Sequence, residues 1–364
     1  MDLNFRIPGP TPLPPMVLSA MQRPMISHRG SQFKEFYLET LRLAREAHRT
    51  EHPVLLWPAS GSAGWEASVV NLFAPGDPVL ATVCGEFGQR YAEVARIFGL
   101  DVRMLEAPWG QAVTPDLLRA ALEANPEVKG VFITHNETAT AVTNPVAELA
   151  AVVRAHGALV LVDAVSGAGA LPLEVDAWGL DFVMSGSQKA WMCPPGLMIA
   201  AIGPRAMDAV KGSGFPRFYW DFERMLQQSE QGFTPTTPAL STLYGFHAAL
   251  TIMIDEGMDA VWDRHRRLGE AARRTLTEGG VELFADPAYA SNTVTGFLTP
   301  EGVSTKAFNA RLKEEFGVVA AGGQGPFKDT MVRIGHMGWT TIGETEAAAA
   351  AAVAVAHELG SAEA

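Results

Sequence analysis

The chain has only two cysteines, Cys84 and Cys193. Neither falls in a metal-ligand spacing, and one pair of thiols is no disulfide framework, so reduced, buried thiols are expected and no metal site. Positive charge is also scarce. Lys and Arg number 28 against 40 Asp and Glu, a formal net charge of -12, and no Lys/Arg-rich run interrupts the deficit. This argues against nucleic acid or an anionic membrane surface as partner, and leaves open a local basic site for an anionic substrate. No apolar run approaches the roughly 20 residues that a membrane span needs. Residues 1–15 hold no apolar signal core and one positive charge, Arg6, and residues 361–364 are no peroxisomal address, so the cytoplasm is the expected compartment.

What is present is a chain of 364 residues, 48% hydrophobic and 19% charged, enough for a large core and two domains of a soluble globular protein. Residues 1–20 are proline-rich at the start and read as an extended arm outside any core. From 54 to about 203, short apolar runs (54–57, 79–83, 131–134, 158–162, 182–184 and 197–202) alternate with amphipathic segments such as 87–98, 115–124 and 145–156. Fully apolar runs joined by helical crossovers predict an α/β fold with a mostly parallel sheet covered on both faces. Residues 211–238 are aromatic and irregular. A helical pattern runs from 240 through 274 with a break near Gly257, and the rest reads as a smaller α+β unit with helices at 305–316 and 344–359. The expected division is therefore an arm (1–20), a large α/β domain (21–255) and a small C-terminal domain (256–364).

Ligands of such sheets sit at the carboxyl ends of the strands. One apolar run ends in Asp163, and the next leads into Ser185-Gly186-Ser187-Gln188-Lys189-Ala190. An acid and a lysine on neighbouring strand ends suit pyridoxal phosphate, whose aldehyde bonds to a lysine and whose protonated ring nitrogen pairs with a carboxylate. Singly, each has a plainer reading: a solvated loop lysine, a helix-capping aspartate, or a Ser187/Lys189 hydrolase pair. Ala59-Ser60-Gly61-Ser62-Ala63-Gly64 lies between a strand and a helix, where free amides, hydroxyls and the helix dipole make a phosphate seat. The loop is neither a P-loop nor a dinucleotide fingerprint. It also lacks the glycine that a nucleophile elbow would need at position 60. Phe87 opens a helix and could stack on a flat ring, although packing is the commoner role. Thr134-His135-Asn136-Glu137-Thr138 puts polar groups on the rim of Asp163. Arg333, inside the apolar run Met331-Val332-Arg333-Ile334, needs an anionic partner, either a substrate carboxylate or an internal acid.

Taken together, these segments resemble the class V aminotransferases of fold type I, in particular the alanine–glyoxylate and serine–glyoxylate (serine–pyruvate) branch. The resemblance runs from Pro8-Gly9-Pro10 through Ser60-Gly61-Ser62, Phe87-Gly88-Gln89-Arg90, His135-Asn136-Glu137-Thr138, Val162-Asp163-Ala164-Val165, the Lys189 loop with Pro194-Pro195-Gly196, and Arg333-Ile334-Gly335. It implies a large domain with a mostly parallel sheet of the seven-stranded type and a smaller C-terminal domain. Pyridoxal 5'-phosphate is the implied cofactor. Lys189 matches the lysine that bonds to the cofactor and moves the proton. Asp163 matches the acid on the ring nitrogen, with Val165 packed beside the ring and Phe87 stacked on it. Ser60, Gly61, Ser62 and Gln188 match phosphate contacts, and Thr236 matches one supplied by the neighbouring subunit of a homodimer with shared sites. Thr138 matches a ligand on the ring-hydroxyl side. Arg333, with Gly9 of the arm, matches the substrate-binding group.

Phe233 stands where some relatives have a tyrosine that reaches the phosphate, Ser62 where some have histidine, and Thr138-Ala139-Thr140-Ala141 where Thr-Ser-Thr-Gly is usual. The expected reaction is ping-pong transamination between a small amino acid, alanine or serine, and a 2-oxo acid, glyoxylate or pyruvate. Aspartate, ureidoglycine, phosphoserine and aminoethylphosphonate are alternative donors. Cysteine desulfuration lacks its cysteine, since none follows Cys193. A serine hydrolase and a non-catalytic binding protein are the remaining alternatives.

Overall fold

The computed structural model describes residues 3–361. The chain opens with strand β1 (Asn4–Arg6) and helices α1 (Pro15–Met21) and α2 (Ser31–Ala47). Strands β2 (Val54–Trp57), β3 (Pro78–Val83), β4 (Asp101–Glu106) and β5 (Gly130–Thr134) follow, with helices α3 (Ala63–Leu72), α4 (Glu86–Ile97) and α5 (Pro115–Glu123) between them. A short hairpin, β6 (Asn136–Glu137) and β7 (Val142–Thr143), then leads through α6 (Val146–His156) to β8 (Leu159–Asp163), β9 (Phe182–Gly186) and β10 (Met198–Ile202).

Seven of these strands form one sheet in the order β2-β10-β9-β8-β5-β3-β4. β10 runs antiparallel to both its neighbours, and every other pairing is parallel. Successive side chains of a strand point to opposite faces, and both faces are covered. Leu56, Val131, Val160, Val183 and Ile199 pack into one core with residues of α2 and α6. Leu55, Phe132, Leu161, Phe182 and Met198 pack into the other with α3 and α4. The strand runs therefore carry no polar alternation, as their sequence implied.

Beyond β10 come α7 (Pro204–Val210), α8 (Phe222–Glu230), α9 (Leu240–Glu256) and α10 (Met258–Glu278). Gly257 separates the last two at φ 85°, a left-handed conformation that glycine adopts without strain. A second, four-stranded sheet is built from β11 (Val294–Leu298), β12 (Val318–Gly322) and β13 (Met331–Gly335) in the order β1-β12-β13-β11, with α11 (Thr305–Phe316) and α12 (Ile342–Ser361) packed against it.

Three features differ from expectation. β4 was not anticipated, because Asp-Val-Arg-Met-Leu-Glu is an edge strand whose side chains stay partly or fully exposed. α8 lies inside the irregular aromatic stretch, with Asp221 capping it through the Arg224 amide at 2.9 Å. The N-terminal stretch is not an arm free of regular structure. β1 pairs in parallel with β12, Arg6 is buried, and α1 follows within the same twenty residues. The proline run sits between those two elements, and the edge of the second sheet captures the polar residues before it.

Candidate active site

The carboxyl ends of β2, β5, β8 and β9 open on one cavity. Ser60, Gly61 and Ser62 form one wall, Phe87 and Thr138 another, and Asp163, Val165, Gln188 and Lys189 the floor.

The Ser60–Ser62 loop is shaped by its neighbours. A Cβ on Gly61 would fall 2.6 Å from Val165 Cγ2, so only glycine lets the loop pass this close to the floor. Ser62 is the N-cap residue of α3, but its hydroxyl makes no capping bond. The amides of Ala63, Gly64 and Trp65 are spent on the carbonyls of Ser60, Gly61 and Ser62. Among the described residues, the amides of Gly61 and Ser62 have no protein acceptor. Gln188 Oε1, buried at the same place, also lacks a partner. Free donors at a helix start suit an anionic group.

Asp163 is buried, and each of its oxygens accepts one hydrogen bond. Oδ2 accepts from Trp65 Nε1 at 2.8 Å and Oδ1 from the Val165 amide at 2.9 Å. Burial pushes its pKa up to about 6, against the pull of those two donors and of Lys189. Lys189 Nζ donates to Pro8 O at 2.5 Å. Burial, and then the Arg333 charge, bring its pKa down to about 8. Gly9, at φ 127°, lies against the lysine, and a Cβ there would be 2.7 Å from Lys189 Cδ. The Thr11 hydroxyl donates to Lys189 O at 2.9 Å, and the Thr11 amide donates to Gln188 O at 3.1 Å. The N-terminal stretch thus reaches from the second sheet to the floor of the cavity.

Arg333 does not line the cavity. It lies on β13 directly behind the wall. Nη1 donates to Thr138 O at 2.9 Å and Nε to Gly322 O at 2.8 Å. The pKa of the guanidinium is lowered to about 10 by burial, and no carboxylate is in salt-bridge contact with it among the described residues. Of the two partners its position in the sequence required, the internal acid is Glu137, whose charge raises the pKa of Arg333 without forming an ion pair with it. Thr236 is half-buried, its carbonyl accepts from the Thr234 hydroxyl at 2.7 Å, and it takes no part in this cavity within one protomer. The Ser187/Lys189 hydrolase pair is not assembled, since the Ser187 hydroxyl donates to Pro194 O at 2.6 Å while Lys189 turns to Pro8.

Three lining residues carried no assigned role in the sequence: Trp65, Asn136 and Ser166. Trp65 reads only as a helix start. Asn136 was visible as a polar residue on the rim, but its partners are remote. Its amide nitrogen donates to the Ser166 and Thr293 hydroxyls, both at 3.0 Å, and its oxygen accepts from Thr143 at 3.0 Å and Ser291 at 2.6 Å. Ser166 in turn accepts from the Thr138 hydroxyl at 2.7 Å. This buried network fastens the β6–β7 hairpin to the segment that precedes β11.

The cavity suits pyridoxal phosphate. The free amides of Gly61 and Ser62 offer donors for a phosphate, Asp163 offers a buried carboxylate for a protonated ring nitrogen, and Lys189 offers an amine of lowered pKa for the aldehyde.

The family model for "Aminotransferase class-V" matches residues 5–341. A "Soluble hydrogenase, small subunit" of Synechococcus sp. is 37% identical, over 97% of this chain and 93% of that protein. A serine–glyoxylate aminotransferase of Methylorubrum extorquens is 36% identical, over 91% of this chain and 85% of that protein. The solved structure of an alanine–glyoxylate aminotransferase from Nostoc sp. superposes with a TM-score of 0.91 at 30% identity, covering 98% of this chain and 95% of that one. The chain belongs to the class V aminotransferases, and it is a pyridoxal-phosphate-dependent aminotransferase of fold type I.

Proposed function

We propose that this enzyme moves the amino group of a small amino acid, alanine or serine, to a 2-oxo acid, glyoxylate in the first place and pyruvate in the second. The observation that carries the reading is the convergence of Lys189, Asp163 and the Ser60–Ser62 loop on one cavity, with Arg333 one wall away and in no ion pair among the described residues. The names of the Methylorubrum and Nostoc relatives point the same way. Among the described residues no three His, Cys, Asp or Glu side chains converge as a metal would require, and both cysteines are buried and free.

Ser60, Gly61, Ser62 and Gln188 would hold the phosphate, Phe87 and Val165 the two faces of the ring, and Thr138 its hydroxyl side. Bound there, the cofactor supplies an aldehyde for amine exchange and a ring that withdraws electrons. Asp163, fixed by Trp65 and Val165, keeps a negative charge where the ring nitrogen carries its proton. Lys189, with its pKa near 8, can release and recover a proton close to neutral pH, as a base acting at the substrate α-carbon must. Arg333 would turn its fork from backbone carbonyls to the substrate carboxylate, with Gly9 leaving room beside the lysine. One donor is consumed and its oxo acid leaves before the acceptor binds.

The same reading includes a cytoplasmic homodimer in which Thr236 serves the partner's site. Beside it, Met25 and Ile26 line a surface groove with Pro238 and Ala239, and Met25 is 64% exposed, an apolar surface that a second copy would cover. Residues 21–255 then form the cofactor-carrying domain and 256–364 the smaller one.

The test is the visible absorption spectrum of the purified protein before and after adding alanine, serine or aspartate. A visible band that shifts toward the amino form of the cofactor with alanine or serine supports the reading. A shift with aspartate alone moves the donor to the acidic class. No band after adding pyridoxal phosphate would overturn the site.

A further inference from the structure

Glu137 is a fully buried carboxylate with no part in the roles above. It sits on β6 between two residues of the site wall. Its Oε2 accepts from the amides of Phe87 at 2.9 Å and Gly88 at 3.1 Å, and its Oε1 from the amide of Ala139 at 2.9 Å. Two of these donors belong to the first turn of α4, and the third belongs to the hairpin that presents Thr138. A buried carboxylate is costly unless its oxygens are satisfied, and here all three partners are backbone donors. The geometry is built to admit it. A Cβ on Gly85 would fall 2.5 Å from Glu137 Cγ and 2.7 Å from its Cδ. Gly85 has an extended φ of 170°, so the space, not the backbone conformation, requires glycine.

We propose that Glu137 is a positioning residue for the cofactor site: one carboxylate that fixes the spacing between the Phe87 end of α4 and the Thr138 turn of the hairpin, and through the Thr138 carbonyl the seat of Arg333. The proposal rests on the reading that Phe87 and Thr138 face the cofactor ring. Only an acceptor on both arms fulfils this function. Glutamine has the same shape but turns one arm into a donor, which would face an amide N–H and release either α4 or the hairpin. The charge also complements the N-terminal end of the α4 dipole.

The test uses the full-length protein, stripped of cofactor and titrated with pyridoxal phosphate, in the wild type, Glu137→Gln and Gly85→Ala. Binding is read from the quenching of tryptophan fluorescence, ring orientation from the visible circular dichroism per bound cofactor, and integrity from far-ultraviolet dichroism and melting. The expected result for Glu137→Gln is affinity weakened about tenfold and visible dichroism at saturation reduced to about half, with native far-ultraviolet signal. Gly85→Ala, which displaces the carboxylate without altering it, is expected to shift both in the same direction. A role in stability alone would lower the melting temperature and leave the dichroism per bound cofactor unchanged, and that result would overturn the proposal. If Glu137→Gln does not fold, unchanged dichroism in Gly85→Ala overturns it. A wild type with no visible signal would instead remove the reading on which the proposal rests.

Discussion

The floor of the cavity and the seam behind it are built differently. The floor groups lie on strand ends or strand–helix loops of one sheet, and the Asp163 carboxylate is held from within that layer, by the amide of Val165 two residues on and by the Trp65 indole at the start of α3. The seam joins the two sheets through partners far apart. Arg333 reaches Thr138 across 195 residues, Lys189 reaches Pro8 across 181, and Ser291 reaches Asn136 across 155. The floor is set once the seven-stranded sheet forms, whereas the seam needs both sheets and the N-terminal strand in place. Changes in the floor should therefore abolish chemistry in a folded protein, while changes in the seam should weaken substrate binding or stability.

Lys189→Ala is the sharpest test of the floor. Removing the amine takes away both the covalent anchor and the proton carrier, and turnover should fall by at least about 10³-fold. The protein should keep its melting temperature within a few degrees, because a buried, desolvated ammonium contributes little to stability. Absorption and transaminase assays check the first part and a thermal melt the second. Retained turnover would mean that the floor does not do the chemistry.

The contrast also explains what the sequence disclosed. Six apolar runs, each bounded by turn residues, made the parallel sheet legible, and the rule that ligands gather at strand ends then placed Asp163 and Lys189. Ser60-Gly61-Ser62 stood out as a small-residue loop opening a helix. The seam offered no such local signal. Gly9 reads as part of a proline-rich arm, and nothing nearby reveals that it must clear the Lys189 side chain. Strand β1 is three residues long and exists because β12 offers it an edge. Asn136 and Glu137 were visible as polar residues after a strand, but their functions depend on Thr293, Ser291, Phe87 and Gly88, which only the folded chain brings to them. Arg333 was legible as a buried cation in need of a partner; that it binds backbone carbonyls and feels the Glu137 charge without an ion pair is a fact of three dimensions.

Arg333→Lys tests the seam with charge conserved. The guanidinium fork now spans the carbonyls of Thr138 and Gly322, which a single ammonium cannot both reach in the same geometry. KM for the amino donor should rise by roughly 10- to 100-fold, the loss of a bidentate carboxylate contact, with kcat changed less. Steady-state kinetics with alanine and serine separate the two. An unchanged KM would place the substrate carboxylate elsewhere.

The smallest effect expected is one of pH. His265 on α10 is fully buried, with Nδ1 2.7 Å from Val261 O and Nε2 accepting the amide of Gly338, just beyond β13, at 3.0 Å. This arrangement requires the neutral ring with its proton on Nδ1. Burial, aided by the Arg264 charge, lowers its pKa to about 3. The groups around it are also basic: His336 is lowered to about 3 by burial first, and then by Arg273, His265 and Arg6. In the unfolded chain the ring titrates near 6.5, so below that pH the unfolded state binds a proton that the native state refuses, and stability falls as pH drops. Between pH 7 and 6 the loss from this one ring is about 0.7 kcal/mol. Asp163 and Glu137, raised to about 6 and about 7, act in the opposite sense, because the native state takes up protons there first. The whole-protein slope therefore mixes floor and seam, and only the difference between variants isolates one ring. Denaturant unfolding of the wild type and His265→Gln at pH 7 and pH 6 should show the variant less stable at both, but with an acid loss smaller by about that 0.7 kcal/mol. An identical loss in the two proteins would mean that His265 takes up its proton in the native seam as it does in the unfolded chain, and that Gly338 is held there by something other than its Nε2.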